Sequence, residues 1–251
     1  MEAAEETKRF CVFCLTDENL SKEHVWPEWV RKHLPVRPDL DAPYIWTKAG
    51  EVVREERDIP LADITVRRVC EPCNTGWMCR IEEAAEPVLA DLIKGNPRTL
   101  DLEAMNIAAT WGYLKCLVVD LAMNGRQTLV VPVVHAWFRE FQQPPESALV
   151  ALACYGGVRH PLFAMAGRNP FNINVDTGGS YTVEMYTMVL GVGHLVVKVA
   201  GHHLPLPVNL DPAAGDRQFA SRIWPQPDGA VRWPPGSRLN DTTLKEFARS
   251  F

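Results

Sequence analysis

The sequence predicts an α+β protein. A zinc-stabilised unit, residues 1–98, is expected to precede an α+β unit with a mostly antiparallel sheet, residues 99–251. Two Cys-x-x-Cys pairs frame the first part of the chain, and beyond about residue 125 short apolar runs alternate with glycine-containing turns. The 251 residues are 47% hydrophobic and 23% charged, so a sizeable core can form and global disorder is excluded.

The two Cys-x-x-Cys pairs are Cys11–Cys14 and Cys70–Cys73. Each pair offers two thiolates from a tight turn, and two such pairs complete the tetrahedral set that structural Zn²⁺ requires. The alternative is two unrelated reduced pairs. A redox role is disfavoured because there are two copies of the motif and neither is expected to lie between a strand and a helix. The other cysteines (Cys79, Cys116 and Cys154) are expected to be small buried hydrophobic residues.

The N-terminal elements are predicted from breakers and periodicity. A short helix over 29–34 should end at Pro35, and strands are expected at 44–46, 52–53 and 64–66. After Asn74, apolar residues recur at helical spacing, so a helix should run to about Lys94 and end at Gly95.

The C-terminal elements begin with a helix over about Leu102–Met123. A short helix is expected near 136–141 and a terminal helix over 240–250, whereas the proline-rich tail from Leu204 reads as irregular. The apolar runs predicted to be strands are 129–134, 148–153, 162–166, 181–190 and 195–199.

Charge and hydropathy exclude several classes of protein. Lys and Arg total 26 against 31 Asp and Glu, a formal charge of −5, which argues against a strongly basic nucleic-acid coat. The acidic N-terminus lacks the apolar segment of a secretory signal, so a cytoplasmic location is expected. The longest apolar stretch, Ile107–Met123, contains Lys115 and Asp120, which favours a buried helix over a membrane span.

Between the two cysteine pairs lies the segment Ser21-x-Glu23-His24-x-x-Pro27, and Asn74-x-x-Trp77-Met78 follows the second pair directly. In this order the motifs resemble the HNH endonucleases of the His-Me finger (ββα-metal) superfamily. The resemblance is closest to the zinc-knuckled proteins of bacteria and phages that carry S-x-E-H-x-x-P and C-x-x-C-N-x-x-W-M segments. It covers residues 11 to about 95.

The resemblance implies a ββα-metal unit that hydrolyses DNA phosphodiester bonds and leaves 5′-phosphate and 3′-hydroxyl ends. By family correspondence His24 is the general base, and Glu23 and Asn74 hold a catalytic Mg²⁺ or Mn²⁺. Histidine suits base catalysis at neutral pH, and a hard divalent ion prefers oxygen ligands. The zinc would clip the strand that carries Glu23 and His24 against the helix that carries Asn74.

Several assignments stay open at this point. Family members often have Asp where Glu23 stands, and residues 64–69 lack the asparagine that usually orients the histidine, with Thr65 or a backbone carbonyl as substitutes. His24 could instead be a structural histidine, and Asn74 a helix cap. Glu82 lies eight residues beyond Asn74, about 12 Å along a helix, so a salt bridge or scaffold role is preferred.

The expected partner is DNA, with RNA as an alternative because the backbone chemistry is shared. Acidic residues outnumber basic ones in residues 1–100, so binding should be weak and salt-sensitive. The rival hypothesis is a non-catalytic zinc module that binds nucleic acid or protein. The C-terminal unit is the expected place for self-association or a partner protein, and no membrane partner is expected. The basic residues proposed to form a DNA-facing surface are Lys22, Arg31, Lys32, Arg37, Arg54, Arg57, Arg67, Arg68 and Arg80.

Overall fold

The computed structural model describes residues 9–17, 19–34, 44–48, 51–56, 63–124, 128–157, 159–174, 180–203 and 210–250. Helices and mostly antiparallel strands confirm the predicted α+β class. The helical segments are α1 (Val30–His33), α2 (Glu71–Cys73), a π-helical turn (Asn74–Met78), α3 (Cys79–Lys94), α4 (Leu102–Asn124), α5 (Pro132–Phe141) and α6 (Asp241–Arg249). The strands are β1 (Leu20–His24), β2 (Tyr44–Lys48), β3 (Glu51–Glu56), β4 (Thr65–Cys70), β5 (Arg98–Leu100), β6 (Ala148–Tyr155), β7 (Leu162–Asn174), β8 (Ser180–Val192), β9 (Leu195–His202), β10 (Ala220–Trp224), β11 (Val231–Trp233) and β12 (Arg238–Leu239).

Strands β1 and β4 form an antiparallel pair although the β2–β3 hairpin lies between them in the chain. His24 pairs with Thr65, and the register shifts between Ser21 and Glu23. This shift is a β-bulge, which bends the strand and re-aims the side chains around it. Strand β4 continues without a loop into α2, so β4 and the helix form one continuous segment with which β1 is paired.

The helical segments α2, the π-helical turn and α3 follow one another from Glu71 to Lys94. Gly76, with φ −95° and ψ −106°, marks a kink between them. The helix ends at Gly95, whose left-handed φ of 75° favours glycine. A Cβ there would also lie 2.8 Å from the ring of His194, so the predicted helix end is confirmed on two physical grounds.

The large C-terminal sheet has the strand order β10-β6-β9-β8-β7. Its pairs along this order are antiparallel, whereas β12 pairs in parallel with the end of β6. Strand β6 is buried along its whole length because alternate residues face different layers. Val150 and Leu152 belong to the main core with α4, while Ala151 and Ala153 pack in a second cluster with residues of α6.

Helix α4 lies in the main core, which includes residues on both sides of the predicted boundary at 98 and 99. Its two central charges, Lys115 and Asp120, are fully buried, which confirms the interpretation of this stretch as a buried helix. Among the described helices, none has both the length and the apolar composition needed to cross a membrane.

Two predictions about elements are wrong. Residues 129–134 were predicted to be a strand, but Pro132 begins helix α5, where its fixed φ and missing N–H suit the first turn. The N–H groups of Leu129 and Val130 donate to the Asp120 carboxylate, each at 2.9 Å, and so do not pair with a strand. The tail predicted as irregular contains β10, β11 and β12, which are short and separated by Pro225 and Pro234.

Some predicted features fall outside the described residues. These are the helix-ending Pro35, the glycine turn at 178–179, and the basic residues Arg37 and Arg57.

Candidate metal centre

The first cysteine pair lies in a tight turn. The N–H of Cys11 donates to the Thr16 carbonyl at 2.7 Å, and the N–H of Leu15 donates to the Cys11 carbonyl at 2.9 Å. The turn is attached to β4 because the N–H of Val12 donates to the Arg68 carbonyl at 2.9 Å. Backbone bonds therefore bring the N-terminal cysteines to the end of the strand that carries Cys70.

The second pair stands where β4 becomes a helix, since Cys70 ends the strand and Cys73 lies in α2. The prediction that neither pair lies between a strand and a helix is therefore wrong for this pair. The four sulfur atoms all lie within 4.8 Å of one another, with Cys14 Sγ 3.5 Å from Cys70 Sγ. Sulfur ligands about 2.3 Å from a tetrahedral zinc are about 3.8 Å apart. The predicted set of four cysteines is thus assembled as a site that could hold a metal ion, named here the cysteine cluster.

Burial and mutual contact set the acidity of these thiols. Burial raises the pKa of Cys70 and Cys73 above the ordinary thiol value. Burial would also raise the pKa of Cys14, but hydrogen bonds from the Thr16 backbone and the other cysteines lower it. Because a metal binds thiolates, ion binding here must release protons and should weaken at low pH.

The remaining cysteines stand apart from this cluster. Cys116 and Cys154 are buried in the core, which confirms their predicted role as small hydrophobic residues. Cys79 is half-buried, and its thiol donates to Glu83 Oε1 at 3.5 Å.

Asn74 directly follows the second cysteine pair, at the start of the π-helical turn. Its amide Nδ2 donates to Ser21 Oγ at 3.0 Å and to the Lys22 carbonyl at 3.2 Å. Both acceptors belong to β1, immediately before Glu23. Since the amide nitrogen faces β1 in this way, the oxygen Oδ1 is the atom of Asn74 that is left for a cation.

Glu23 is 4% exposed, and its carboxylate is paired with a lysine from α4. Lys115 Nζ donates to Glu23 Oε1 at 2.7 Å and also forms an ion pair with Glu82, which confirms the predicted salt-bridge role of Glu82. Within the described chain, no group donates to Glu23 Oε2. One carboxylate oxygen of Glu23 is therefore engaged, and one remains for another partner.

The charge of Lys115 is retained despite its burial. Burial would lower the pKa of this ammonium, but the nearby carboxylates of Glu23 and Glu82 outweigh burial and raise it. The three side chains together carry a net charge of −1. Carboxylate and amide oxygens such as Glu23 Oε2 and Asn74 Oδ1 are of the chemical type that a hard divalent cation accepts.

Lys115 was not foreseen as a site residue. It lies 92 residues from Glu23, and the sequence offered only one signal, a charge within an apolar helix. A buried charge needs a partner, but composition does not say which one.

His24 ends β1 and is half-buried. Its main-chain carbonyl accepts a hydrogen bond from Lys115 Nζ at 3.0 Å. No hydrogen bond or ion pair joins its imidazole to any residue that the structure describes. Thr65 pairs with His24 along the backbone, but the residue that would orient the ring stays unassigned.

The helix beyond Asn74 packs through Trp77 and Met78, which are 7% and 1% exposed, as predicted. Trp77 contacts Phe13 of the cysteine turn edge to face, with ring centroids 5.2 Å apart, and contacts Phe138 of α5 at 5.9 Å. These contacts attach the cysteine turn to the core independently of any metal.

The basic residues proposed to face DNA differ in exposure. Lys22, Lys32, Arg67 and Arg80 are exposed, whereas Arg68 is half-buried and Arg31 forms an ion pair with Asp63. Lys22 and Arg67 both lie at the β-bulge beside the candidate site.

Comparison of the chain with protein-family models, with curated proteins and with solved structures finds no match.

Proposed function

We propose that the chain is a divalent-metal-dependent HNH-type endonuclease that hydrolyses DNA phosphodiester bonds, with a structural zinc ion in the cysteine cluster. One observation carries the proposal: Asn74, at the start of the π-helical turn, is hydrogen-bonded to Ser21 and Lys22, next to Glu23 and His24. The residues that the family resemblance assigns to catalysis come from distant segments, and contacts along β1 and β4 bring those segments together.

The proposed chemistry divides between a base and two metal ligands. The imidazole of His24 accepts a proton from water, whose oxygen then attacks phosphorus. The P–O3′ bond breaks and the leaving 3′ oxygen takes up a proton from solvent, so the products carry 5′-phosphate and 3′-hydroxyl ends. Glu23 Oε2 and Asn74 Oδ1 would hold Mg²⁺ or Mn²⁺, which when bound stabilises charge on the phosphate and the leaving oxygen.

Exposed cations beside this site support nucleic acid as the substrate. Lys22 and Arg67 lie on adjacent strands at the bulge, where they could neutralise phosphates on either side of the scissile bond. The contact is sequence-independent, because a phosphate carries no base information.

Conversion of supercoiled plasmid to nicked or linear DNA tests the proposal. Zinc-loaded wild-type protein, His24→Ala and His160→Ala would be compared in Mg²⁺ or Mn²⁺ at low salt. His160 is an exposed histidine outside the site and serves as the matched control. We expect cleavage by wild type and His160→Ala, and a loss of about 10²- to 10⁴-fold in His24→Ala because a general base contributes that much.

Equal cleavage by folded His24→Ala would reject His24 as the base. Absence of cleavage by zinc-loaded wild type with either ion would favour the second candidate function.

That second candidate is a non-catalytic zinc-stabilised module that binds nucleic acid or protein. It is favoured by the engagement of Glu23 with Lys115 and by the imidazole of His24, which meets no polar partner among the described residues. Titration of Mn²⁺ into zinc-loaded protein separates the two functions. A nuclease should bind a second, weaker ion that His24→Ala and the control Asn96→Ala retain and Asn74→Ala loses, whereas the binding module should take up no second ion.

A further inference from the structure

Lys115 reaches the candidate site from a distant part of the chain. Its ammonium is 2.7 Å from Glu23 Oε1 and 3.0 Å from the main-chain carbonyl of His24, and it forms a further ion pair with Glu82. The lysine side chain has no exposed surface. Lys115 cannot touch a nucleic acid, so any effect on the reaction must pass through the groups that it holds.

The two contacts restrain different parts of the site. The bond to Oε1 fixes the carboxylate of Glu23 and leaves Oε2 as the oxygen for another partner. The bond to the His24 carbonyl fixes the last peptide of β1, from which the imidazole projects. A ligand and a base held in one orientation lose less freedom when substrate and metal bind.

We propose that Lys115 is a positioning residue of this site, which orients Glu23 as a metal ligand and the end of β1 as the support for His24. The proposal rests on the nuclease function proposed above. It gives α4, a core helix beyond the predicted boundary at residue 98, a direct part in the candidate site.

Charge alone would give Lys115 the opposite effect. Glu23, Glu82 and Lys115 sum to −1, so removal of the lysine charge makes the cluster more negative and should attract a cation more strongly. If Lys115 instead acts by positioning, its removal should weaken cation binding.

A pair of variants separates these effects. Lys115→Met/Glu82→Gln keeps the net charge at −1 but removes the lysine, whereas Glu82→Gln keeps the lysine and makes the net charge zero. If net charge alone sets the affinity, the double variant should bind a cation more tightly than Glu82→Gln does. If positioning by Lys115 sets the affinity, the double variant should bind the cation less tightly. The double variant also avoids leaving the buried carboxylate of Glu23 and the half-buried carboxylate of Glu82 together without a cation, which would threaten folding.

The experiment measures the dissociation constant of Mn²⁺ by paramagnetic resonance of the free ion, in zinc-loaded protein, together with kcat and KM for plasmid cleavage. We expect the double variant to lose about 10- to 100-fold in Mn²⁺ affinity, as is typical when a group that orients a ligand is removed. Its kcat should fall while KM for DNA changes little, and Glu82→Gln should stay closer to wild type in both quantities.

Affinity and kcat in the double variant equal to or above those of Glu82→Gln would overturn the proposal. Should the double variant fail to retain zinc, Lys115→Gln/Glu82→Gln, which also keeps the net charge at −1, is measured in its place against the same ranking. Failure of wild type itself to bind Mn²⁺ and to cleave would reject the nuclease function, an outcome distinct from equal behaviour of the variants.

Discussion

His135 of α5 lies against the cysteine turn, with its ring centroid 5.6 Å from that of Phe13. Burial lowers the pKa of its imidazole to about 4, the hydrogen bond to the Val131 carbonyl opposes this effect, and the charge of Arg68 adds to it. In an unfolded chain histidine titrates near pH 6.5. Between these pH values the unfolded state binds more protons, so stability decreases as the pH falls through this window.

We therefore expect His135→Phe to reduce the acid sensitivity of folding. In wild type this residue should cost up to about 3 kcal/mol of unfolding free energy between pH 6.5 and pH 4, at about 1.4 kcal/mol per pH unit. Urea unfolding of both proteins at pH 7, 6, 5 and 4.5 measures the difference. His160→Phe, at an exposed position, should keep the wild-type dependence of unfolding free energy on pH. The same dependence in His135→Phe would contradict the assignment of the acid sensitivity to His135.

At the residue scale, the sequence identified the groups that belong to motifs but not their long-range partners. The cysteine cluster follows from spacing and thiolate chemistry, and the structure assembles it as predicted. The contact between Lys115 and Glu23 depends on how α4 packs against β1, and no local pattern encodes that contact.

At the scale of elements, Gly112 of α4 packs directly against β9. A Cβ on this residue would lie 2.7 Å from Val197 Cγ1 of β9. Valine is branched at Cβ and has little rotamer freedom, so it cannot move aside at low cost. The packing of α4 on β9 therefore requires a residue without a side chain at this point.

We expect Gly112→Ala to destabilise the protein by about 1–3 kcal/mol through overpacking, although alanine favours a helix by about 1 kcal/mol. In a Val197→Ala background the same change should become neutral or stabilising, because the space is then available. Denaturant unfolding of the four proteins in this cycle gives the coupling energy. Gly167→Ala serves as the control, since its added Cβ meets no atom within 4 Å. Equal effects of Gly112→Ala in both backgrounds would contradict the contact.

Elements with a strong local sequence signal were predicted correctly. The helix ending at Gly95 was predicted from its glycine cap, and strands β6 and β9 were predicted from continuous apolar runs, which are typical of buried strands. The error at 129–134 arose because valine and leucine suggested a strand, while Pro132 and the distant carboxylate of Asp120 favoured a helix start. Strands β10 to β12 are only two to five residues long, too short for periodicity to appear.

At the scale of the whole molecule, the main core joins the cysteine turn, α3, α4 and the sheet in one cluster. Removal of a metal ion from the cysteine cluster should therefore destabilise more of the protein than the segment that binds the ion. We expect Cys70→Ser to lose zinc and to unfold in a single transition, with a Tm lower by about 2–4 °C for each kcal/mol that the bound ion contributes.

Calorimetry with zinc analysis of the same samples measures this effect. Cys79→Ser, which changes a half-buried thiol outside the cluster, should keep both its zinc and its Tm. Two separate transitions in Cys70→Ser, with the second at the wild-type temperature, would show that the sheet is stable without the metal-binding segment.

We propose that four cysteines from two distant segments hold one zinc ion, which ties the turn at Cys11 and Cys14 to the junction of β4 and α2. Zinc-edge X-ray absorption of the purified protein, with its metal content, is the measurement that tests this proposal. We expect one zinc per chain with four sulfur ligands at about 2.3 Å. A zinc-free folded protein, or a zinc bound mainly by nitrogen or oxygen, would contradict it.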